Sequence, residues 1–309
     1  MYKILVLLSH YNGHEFIESQ IHSILMQRNV KVTLLIRDDG STNMEDVEYL
    51  KNTIDGYSNI ELICGENLGC AESFKSLLLE ANKRVECYDY FAFSDQDDVW
   101  LEDKLLVAAK ALDKIGYIGP ELYCANLSLV DKELKCIGVM NTKTFNVQKK
   151  KLASFVDNIA TGCTIVFNRD LLRFFVDSVP SQMRMHDSWL YVVCSYFGEV
   201  YYDETPHILY RQHGNNVEGT AIGYISFLKR KIKNWYNGWR AYNTAKVFLE
   251  CYGDKLDAKS KNDIKLLANY NVSLSNKFNL LFTLNKNGLK RESLFLNFIL
   301  ILRILFNKL

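Results

Sequence analysis

The sequence predicts an α/β protein in which an open, doubly wound and mostly parallel sheet is followed by a C-terminal helical extension. Over residues 1–115, short apolar runs alternate with segments of helical periodicity, as expected when each parallel strand is followed by a crossover helix. From Ile222 onward the pattern is helical only, with no proline. A chain of 309 residues is long enough for one large core and a smaller helical part.

The first half of the chain supplies four strand–helix pairs. In the first helical segment, Ile17, Ile21 and Ile24 fall on one face, which is the pattern of an amphipathic helix packed on a sheet. The predicted strands and helices alternate as Ile4–Leu8, Phe16–Met26, Val32–Ile36, Val47–Ile54, Ile60–Cys64, Ala71–Ala81, Tyr90–Phe93 and Leu101–Ile115.

Beyond residue 116 the alternation is less regular. Strands are predicted at Leu122–Val130, Thr164–Phe167, Val200–Tyr202 and Ile208–Tyr210, and helices at Leu171–Asp177 and Trp189–Phe197. We expect this half to extend the sheet and to shape the site of a second substrate. Two or three further helices are predicted after Ile222.

Charge is distributed unevenly along the chain. Residues 221–309 hold 16 Lys and Arg against 5 Asp and Glu, and the first 220 residues hold the other 21 against 31. A basic tail with apolar runs such as Leu294–Phe306 suits an anionic membrane surface better than nucleic acid. The alternative is that these helices cover the sheet and pair with a second subunit as a homodimer.

The cysteines and the N-terminus favour a cytoplasmic protein. The eight cysteines form no C-x-x-C pair and mostly lie in apolar runs, so we expect reduced thiols in the core. The first residues are apolar but run into polar ones without a cleavage site of small residues, so no signal peptide is expected.

Polar residues gather where the first four predicted strands end, and ligands of open α/β sheets bind at that edge. The most informative group is Asp95-Gln96-Asp97-Asp98. In extended backbone Asp95 and Asp97 face one spot, where their repulsion calls for a cation, and Mg²⁺ or Mn²⁺ suits such hard oxygen ligands. The alternative is that Asp97 or Asp98 caps the following helix.

A nucleoside pocket is a further interpretation of this edge. Asp38-Asp39-Gly40-Ser41 is compatible with a plain turn. Beside the first-strand cluster, however, Asp39 could accept hydrogen bonds from a base or ribose, and Tyr11 could offer its ring to the base. Neither a G-x-G-x-x-G nor a P-loop motif occurs, which disfavours dinucleotide enzymes and P-loop phosphotransferases.

Taken together, the motifs resemble the inverting glycosyltransferases of family 2, whose fold is the Rossmann-like GT-A fold. The later motifs resemble the bacterial rhamnosyltransferase branch of cell-wall and capsular polysaccharide synthesis. The matching segments are Ser9-His10-Tyr11-Asn12, Asp38-Asp39-Gly40-Ser41, Asn67-Leu68-Gly69, Ser94–Trp100, Thr161–Thr164, Met185–Leu190 and Tyr210–Val217. The branch often has Ser or Thr before Tyr-Asn, so His10 has no role by resemblance.

The resemblance implies a role for each motif. It implies a D-x-D metal site at Asp95 and Asp97, a catalytic base at Asp187, and a further metal or diphosphate contact at His213. By their residues alone, Asp187 is compatible with a helix cap and His213 with a solvated side chain. The implied nucleotide-binding residues are Ser9, Tyr11, Asn12, Asp38, Asp39, Asn67, Gly69 and Asp95, and those on the acceptor side are Gly162, His186 and Trp189.

The predicted protein is thus a metal-dependent inverting glycosyltransferase on the inner face of the cell membrane. Its predicted donor is dTDP-rhamnose and its acceptor a lipid-linked glycan. A UDP-hexose donor is one alternative, and a non-catalytic scaffold that binds polysaccharide or membrane is another. We expect a catalytic domain at 1–220, with the nucleotide-sugar part at 1–115 and the acceptor part at 116–220, and a basic helical region at 221–309.

Overall fold

A computed structural model of the chain describes residues 1–140, 151–212, 240–284, 286, 288–289 and 294–309. These residues form two compact units. The first contains the described residues of 1–140, 159–177 and 185–212, and the second contains those of 151–158, 178–184 and 240–309. Two segments from the middle of the chain therefore group with the C-terminal helices. The predicted division at residue 220 places both segments in the catalytic domain.

The first unit contains the strands of both described sheets. They are β1 Tyr2–His10, β2 Val30–Asp38, β3 Ile60–Cys64, β4 Tyr90–Ser94, β5 Val99–Trp100, β6 Glu121–Ala125, β7 Ser128–Val130, β8 Cys136–Val139, β9 Val166–Asn168, β10 Glu199–Asp203 and β11 Ile208–Arg211. Its helices are α1 His14–Leu25, α2 Met44–Ile54, α3 Cys70–Asn82, α4 Lys104–Ile115, α5 Arg169–Val176 and α6 His186–Phe197.

The larger described sheet has the order β10-β6-β9-β4-β1-β2-β3. All neighbouring strands pair in parallel except at β9, which is antiparallel to both β4 and β6. The central strand β1 is covered on both faces, and Ile4 to Leu8 are wholly buried, as expected of a parallel strand between two layers of helices. The predicted mostly parallel α/β architecture with C-terminal helices is confirmed.

The register of the sheet brings four strand ends to one edge. His10 lies beside Asp38, and Asp38 beside Cys64, at the carboxyl ends of β1, β2 and β3. On the other side of β1, Leu8 pairs with Ser94 at the end of β4. Because β9 runs in the opposite direction, the residues that precede it reach this same edge, and the amide of Phe93 donates to the carbonyl of Ile165 at 3.2 Å.

Two predicted elements of the first unit need correction. The expected strand Leu122–Val130 is two strands in different sheets, because the chain turns at Asn126, whose side chain accepts from the amide of Leu127 at 2.9 Å. The fourth helix begins at Lys104 and not at Leu101. Residues 101–103 separate it from β5, which belongs to a small sheet ordered β5-β11-β7-β8.

The second unit is helical in its described C-terminal part. It contains α7 Ala241–Tyr252, α8 Ala258–Ala268, α9 Leu274–Thr283 and α10 Leu294–Leu305. The prediction of two or three helices is wrong, since these are four. The side chain of Asp257 accepts from the amide of Ser260 at 2.9 Å, and Ser273 accepts from the amide of Asn276 at 3.1 Å. These two N-caps start α8 and α9 separately.

The cysteines are only partly in the core. Cys124, Cys163 and Cys194 are buried, whereas the side chains of the strand-end and loop residues Cys64 and Cys87 are exposed, as is that of Cys136. All eight are free thiols. Placing most of them in the core is therefore wrong for these three, which lie at element ends or on an edge strand. Within the described residues, every helix is too short or too polar to cross a bilayer.

Candidate active site

The ends of β1 and β2 are joined by a buried histidine. The ring of His10 is wholly buried, and its Nδ1 lies 2.9 Å from Oδ1 of Asp38. The amide of Gly13 donates to Nε2 at 3.3 Å, so Nε2 is an acceptor and Nδ1 carries the proton that Asp38 accepts. His10, which had no role by resemblance, thus fixes the turn after β1 against β2.

Asp38 is a structural carboxylate in this arrangement. Its Oδ1 accepts from the hydroxyl of Ser41 at 2.6 Å, and its Oδ2 from the amide of Ser41 at 3.2 Å. Burial alone would raise the pKa of Asp38, but the hydrogen bonds from Ser41 and His10 outweigh it and hold that pKa below its usual value. Asp38 therefore shapes the turn at the edge, and its nucleotide contact stays a prediction.

Asp39 ties the loop after β2 to the loop after β3. Its Oδ1 accepts from the amide of Leu68 at 3.1 Å and from the buried guanidinium of Arg37, and its Oδ2 accepts from the amide of Gly69 at 2.8 Å. A carboxylate offers about four acceptor positions, and three of them are used here by a side chain that is almost wholly buried. Asn67 and Gly69 are exposed beside it.

The turn between these loops requires glycine. Gly40 has φ +70°, and a Cβ at this position would lie 2.5 Å from the amide nitrogen of Asn67. Both the backbone conformation and the close approach exclude a side chain. This is why Asp-Gly-Ser forms the turn.

The loop after β1 is held by its own polar residues. The side-chain Oδ1 of Asn12 accepts from the backbone amide of Thr42 at 2.9 Å. The backbone amide of Asn12 donates to the hydroxyl of Ser41 at 2.9 Å. Ser9 is hydrogen-bonded to Ser73 of α3, with 2.6 Å between the hydroxyl oxygens. Among the predicted nucleotide contacts of this strand end, the ring of Tyr11 is exposed.

The acidic group after β4 is bent and not extended. The chain bends at Gln96 and Asp97, and oxygens of Asp95 and Asp98 lie with Sγ of Cys163 within 4.8 Å of one another. The expectation that Asp95 and Asp97 share one face rested on extended backbone, which these residues do not adopt. Asp97 remains near enough for its charge to affect Asp95.

Helix capping does not account for the acidic group. The N-cap of α4 is Asp103, so the alternative that Asp97 or Asp98 caps this helix is wrong. Asp98 is wholly buried, and its Oδ1 accepts from the amide of Arg211 at 3.1 Å. Its Oδ2 has no hydrogen-bond partner among the described residues. A buried carboxylate oxygen without a donor is costly. Burial, with the charges of Asp97 and Asp95, raises the pKa of Asp98 well above its usual value, so either a proton or a nearby cation can relieve that cost.

Asp95 carries the electrostatic signature of a cation site. Burial, together with the charges of Asp97 and Asp187, raises the pKa of Asp95 to about 7. A divalent cation would relieve this repulsion and favour the ionised form. Carboxylate oxygens such as those of Asp95 and Asp97 are hard ligands that fit Mg²⁺ or Mn²⁺. His213, the third predicted ligand, lies outside the described residues.

Two basic residues that the sequence analysis did not single out surround this group. Lys104 is buried with its Nζ 3.5 Å from the ring centroid of Trp100, and burial lowers its pKa to about 7. Arg211 is also buried; its Nε donates to the carbonyl of Asp97 at 2.8 Å, and its guanidinium lies over the ring of Phe16. The signal for Arg211 was its place in the Tyr210–Val217 motif, whereas nothing in the pattern marked Lys104.

Asp187 lies in the first turn of α6, facing the acidic group. The N-cap of α6 is Met185, so Asp187 is not the capping residue, although its Oδ1 accepts from the amide of Ser188 at 2.6 Å. Its Cβ is 3.6 Å from the point where a side chain of Gly162 would begin, and its charge reaches Asp95. A Cβ at Gly162 would also lie 3.0 Å from Nε2 of His186, so glycine permits this close packing, and the reversed strand β9 brings Gly162 to the edge.

His186 and Trp189, predicted on the acceptor side, are core residues. Both side chains are almost wholly buried. The His186 ring stacks on Phe74 with 3.7 Å between centroids and meets Phe93 edge-on at 4.5 Å. Neither ring nitrogen has a hydrogen-bond partner within the part of the chain that is described, and burial lowers the pKa of His186 to about 3. A neutral imidazole thus packs in the core at the residue before Asp187.

A separate cavity lies at the opposite edge of the sheet. It has a volume of about 540 Å³ and is lined by charged and tyrosine side chains at the amino ends of β1 and β4, including Tyr2, Tyr90, Asp113 and Arg169. Tyr2 and Tyr90 both donate to Asp113 at 2.5 Å. These groups satisfy one another and bring no catalytic pair together, so the carboxyl edge is the better candidate.

The chain is similar in sequence to several known proteins. The family model described as Glycosyl transferase family 2 matches residues 5–175. The dTDP-rhamnosyl transferase RfbG of Shigella flexneri is 29% identical over 238 residues, which are 73% of this chain and 79% of that protein. The UDP-Glc:alpha-D-GlcNAc-diphosphoundecaprenol beta-1,3-glucosyltransferase WfgD of Escherichia coli is 26% identical, over 56% of this chain and 63% of its own length.

Among solved structures, the chain is similar to residues 1–349 of S. aureus TarS in complex with UDP-GlcNAc. The TM-score is 0.57 at 14% identity, covering 90% of this chain and 75% of that one. A complex of the same protein with UDP gives a TM-score of 0.54 at 16% identity, with the same coverage of both chains. At such identities the likeness concerns the fold, which is the GT-A fold.

Proposed function

We propose that this chain, which belongs to glycosyl transferase family 2, transfers L-rhamnose from dTDP-rhamnose to a hydroxyl of a lipid-linked glycan. Family membership makes it a glycosyltransferase. The donor is supported by the likeness to the Shigella flexneri protein named as a dTDP-rhamnosyl transferase. We propose that the chain works as a peripheral protein on the inner face of the cell membrane, where such an acceptor is available.

The observation that carries the proposal is the meeting of Asp187 with the acidic group beside Gly162. In this mechanism Asp187 accepts the proton of the acceptor hydroxyl as it attacks the anomeric carbon from the face opposite the diphosphate, so the configuration inverts. One amide holds Oδ1 of Asp187 at 2.6 Å, which orients the carboxylate. Glycine at 162 lets the start of α6, which carries Asp187, pack closely against this edge.

The donor half of the site is assigned to the loops after β1 to β4. In the proposal the exposed ring of Tyr11 stacks on the base, and the remaining acceptor position of Asp39 takes a base or ribose donor. Asp95 and Asp97 would hold Mn²⁺ or Mg²⁺. When bound, the ion neutralises the charge of the departing diphosphate.

Replacing Asp187 by asparagine tests the base. D187N should slow sugar transfer by about 10²- to 10⁴-fold, because the amide cannot accept the proton, while Mn²⁺-dependent binding of the nucleotide remains. Transfer is measured with the donor and a lipid-linked acceptor, and nucleotide binding by titration calorimetry with and without EDTA. The matched control is D55N, which changes an exposed carboxylate at the end of α2. Near-normal transfer by D187N would exclude Asp187 as the base.

A UDP-hexose is the second candidate donor. It is favoured by the similarity to the Escherichia coli protein named as using UDP-Glc, and the TarS neighbour is a complex with UDP-GlcNAc. A panel of dTDP- and UDP-sugars, each scored for transfer at equal concentration, separates the two candidates. Preference for a UDP-hexose by more than about tenfold in kcat/KM would replace the rhamnose assignment while retaining the transferase.

A further inference from the structure

Two helices of the second unit expose apolar faces to solvent. In α9, Leu274, Phe278 and Phe282 recur at intervals of four residues and therefore share a face. All three are exposed, and Phe282 is 86% exposed. The opposite side of α9 is anchored by Leu280, which is buried. This exposed set is too regular to be scattered surface residues.

The last helix repeats this pattern. In α10 only Asn297 and Arg303 are polar, and a helix that is apolar on nearly all sides is normally enclosed or in contact with lipid. Leu300 and Ile304 are buried, whereas Phe298, Ile301 and Leu305 are exposed at spacings of three and four residues. One face of α10 is therefore used in packing, and a second apolar face is left outside.

The sequence that contains these two helices is rich in cations and almost free of acidic residues. From residue 273 to the last residue of the sequence, Glu292 is the single acidic residue. The basic residues there are Lys277, Lys286, Lys290, Arg291, Arg303 and Lys308. Nζ of Lys277 donates to the carbonyl of Leu305 at 3.0 Å, which joins α9 to the end of α10 and holds a positive charge beside the apolar residues.

We propose that the exposed faces of α9 and α10, defined by Leu274, Phe278, Phe282, Phe298, Ile301 and Leu305, dock on an anionic lipid surface. Exposed aromatic and aliphatic side chains among cations are the composition that enters the boundary between headgroups and acyl chains. A second copy of the chain would bring the same excess of positive charge against itself, which opposes association. A lipid surface with acidic headgroups complements that charge.

The length of the helices determines how they bind. The 12 residues of α10 extend about 18 Å, short of the roughly 30 Å hydrocarbon core. The helices would therefore lie in the plane of the interface, with Phe and Leu side chains directed into it. This inference deepens the membrane association in the proposed function, but lipid binding requires neither donor nor acceptor.

Vesicle flotation of the full chain tests the inference. F278S/F282S and F298S/I301S should each bind vesicles of phosphatidylglycerol and phosphatidylcholine at least about tenfold more weakly than the wild type, because burying one Phe at an interface contributes more than a tenfold change in partitioning. Binding of the wild type itself should be weaker on vesicles of pure phosphatidylcholine, which carry no net charge. It should also be weaker in 1 M salt, where charges are screened within about 3 Å. The changed residues are exposed, and circular dichroism checks that the variants fold.

The matched control is M44S/I118S, which removes two apolar residues of the first unit that are 75% and 95% exposed. It should float like the wild type. Equal flotation of the control and both helix variants would overturn the inference. The inference would also be overturned if light scattering showed a dimer that F278S/F282S dissociates while flotation stays unchanged. The exposed faces would then bind a second copy of the chain and not lipid. D187N should float normally, so loss of transfer and loss of docking are told apart.

Discussion

Replacing His186 by phenylalanine should remove a pH dependence that is built into the core. The buried imidazole is held neutral, with its pKa lowered to about 3 by burial, whereas a histidine in the unfolded chain has a pKa of about 6.5. Because the folded-state pKa is the lower one, the neutral ring favours the folded state fully above pH 6.5, and this stability is lost as the pH falls toward 3. Phenylalanine keeps the aromatic packing on Phe74 and Phe93 without a titrating group.

The magnitude follows from proton linkage. Between pH 7 and pH 5 the histidine of the unfolded chain takes up a proton that the folded state does not bind. This lowers the free energy of unfolding of the wild type by about 2 kcal/mol relative to that of H186F. The constant effect of changed packing cancels in this comparison, because it is the same at both pH values. The free energy of unfolding in urea, measured at both pH values, gives the difference.

An exposed histidine provides the control for this experiment. His22 lies on the exposed side of α1, so H22Q should keep the pH dependence of the wild type. If the stabilities of wild type and H186F fall in parallel from pH 7 to pH 5, then His186 does not titrate between the folded and unfolded states. The conclusion that the buried ring of His186 stays neutral would then be wrong.

Three further variants test how the loops of the edge are held. G40A should destabilise the fold by roughly 2 kcal/mol or more in urea unfolding, since the added Cβ would lie 2.5 Å from a backbone nitrogen of the next loop at φ +70°. R211M should weaken Mn²⁺-dependent nucleotide binding by about tenfold or more in calorimetry, with unchanged circular dichroism, because the carbonyl of Asp97 loses its donor. D39A should cost about 3–5 kcal/mol of stability, because it leaves a buried guanidinium unpaired; if unfolding shows a loss under 1 kcal/mol, the ion pair is not holding the loops.

Periodicity predicted the strands and helices of the first half because each is long enough to repeat its pattern. Ile60–Cys64, for example, is a predicted strand whose bounds match the structure. Short elements lack that signal. β5 has two residues, and its position depends on pairing with β11 far along the chain, so the sequence did not predict this strand. The helix that follows it was predicted to begin at Leu101, three residues before its observed start at Lys104.

The sequence predicted the edge of the sheet at which the candidate site lies, but not which side chains contact one another there. The end of every parallel strand lies at one edge, so Asp39, Asp95 and Asp97 could be assigned there from order alone. Which carboxylates gather depends on the bend after β4, and local spacing does not encode a bend. The position of Cys163 beside Asp95 and Asp98 could not be predicted either, because it depends on the reversed direction of β9.

The hydrogen bonds that link the edge loops do not involve a ligand. His10 holds Asp38, Asn12 holds Thr42, and Asp39 holds the amide of Gly69. A nucleotide would therefore meet a surface that is already ordered, and little conformational entropy would be lost when it binds. Such preorganisation is visible by hydrogen exchange: the amides of Leu68 and Gly69, bonded to a buried carboxylate, should be protected before any donor is added.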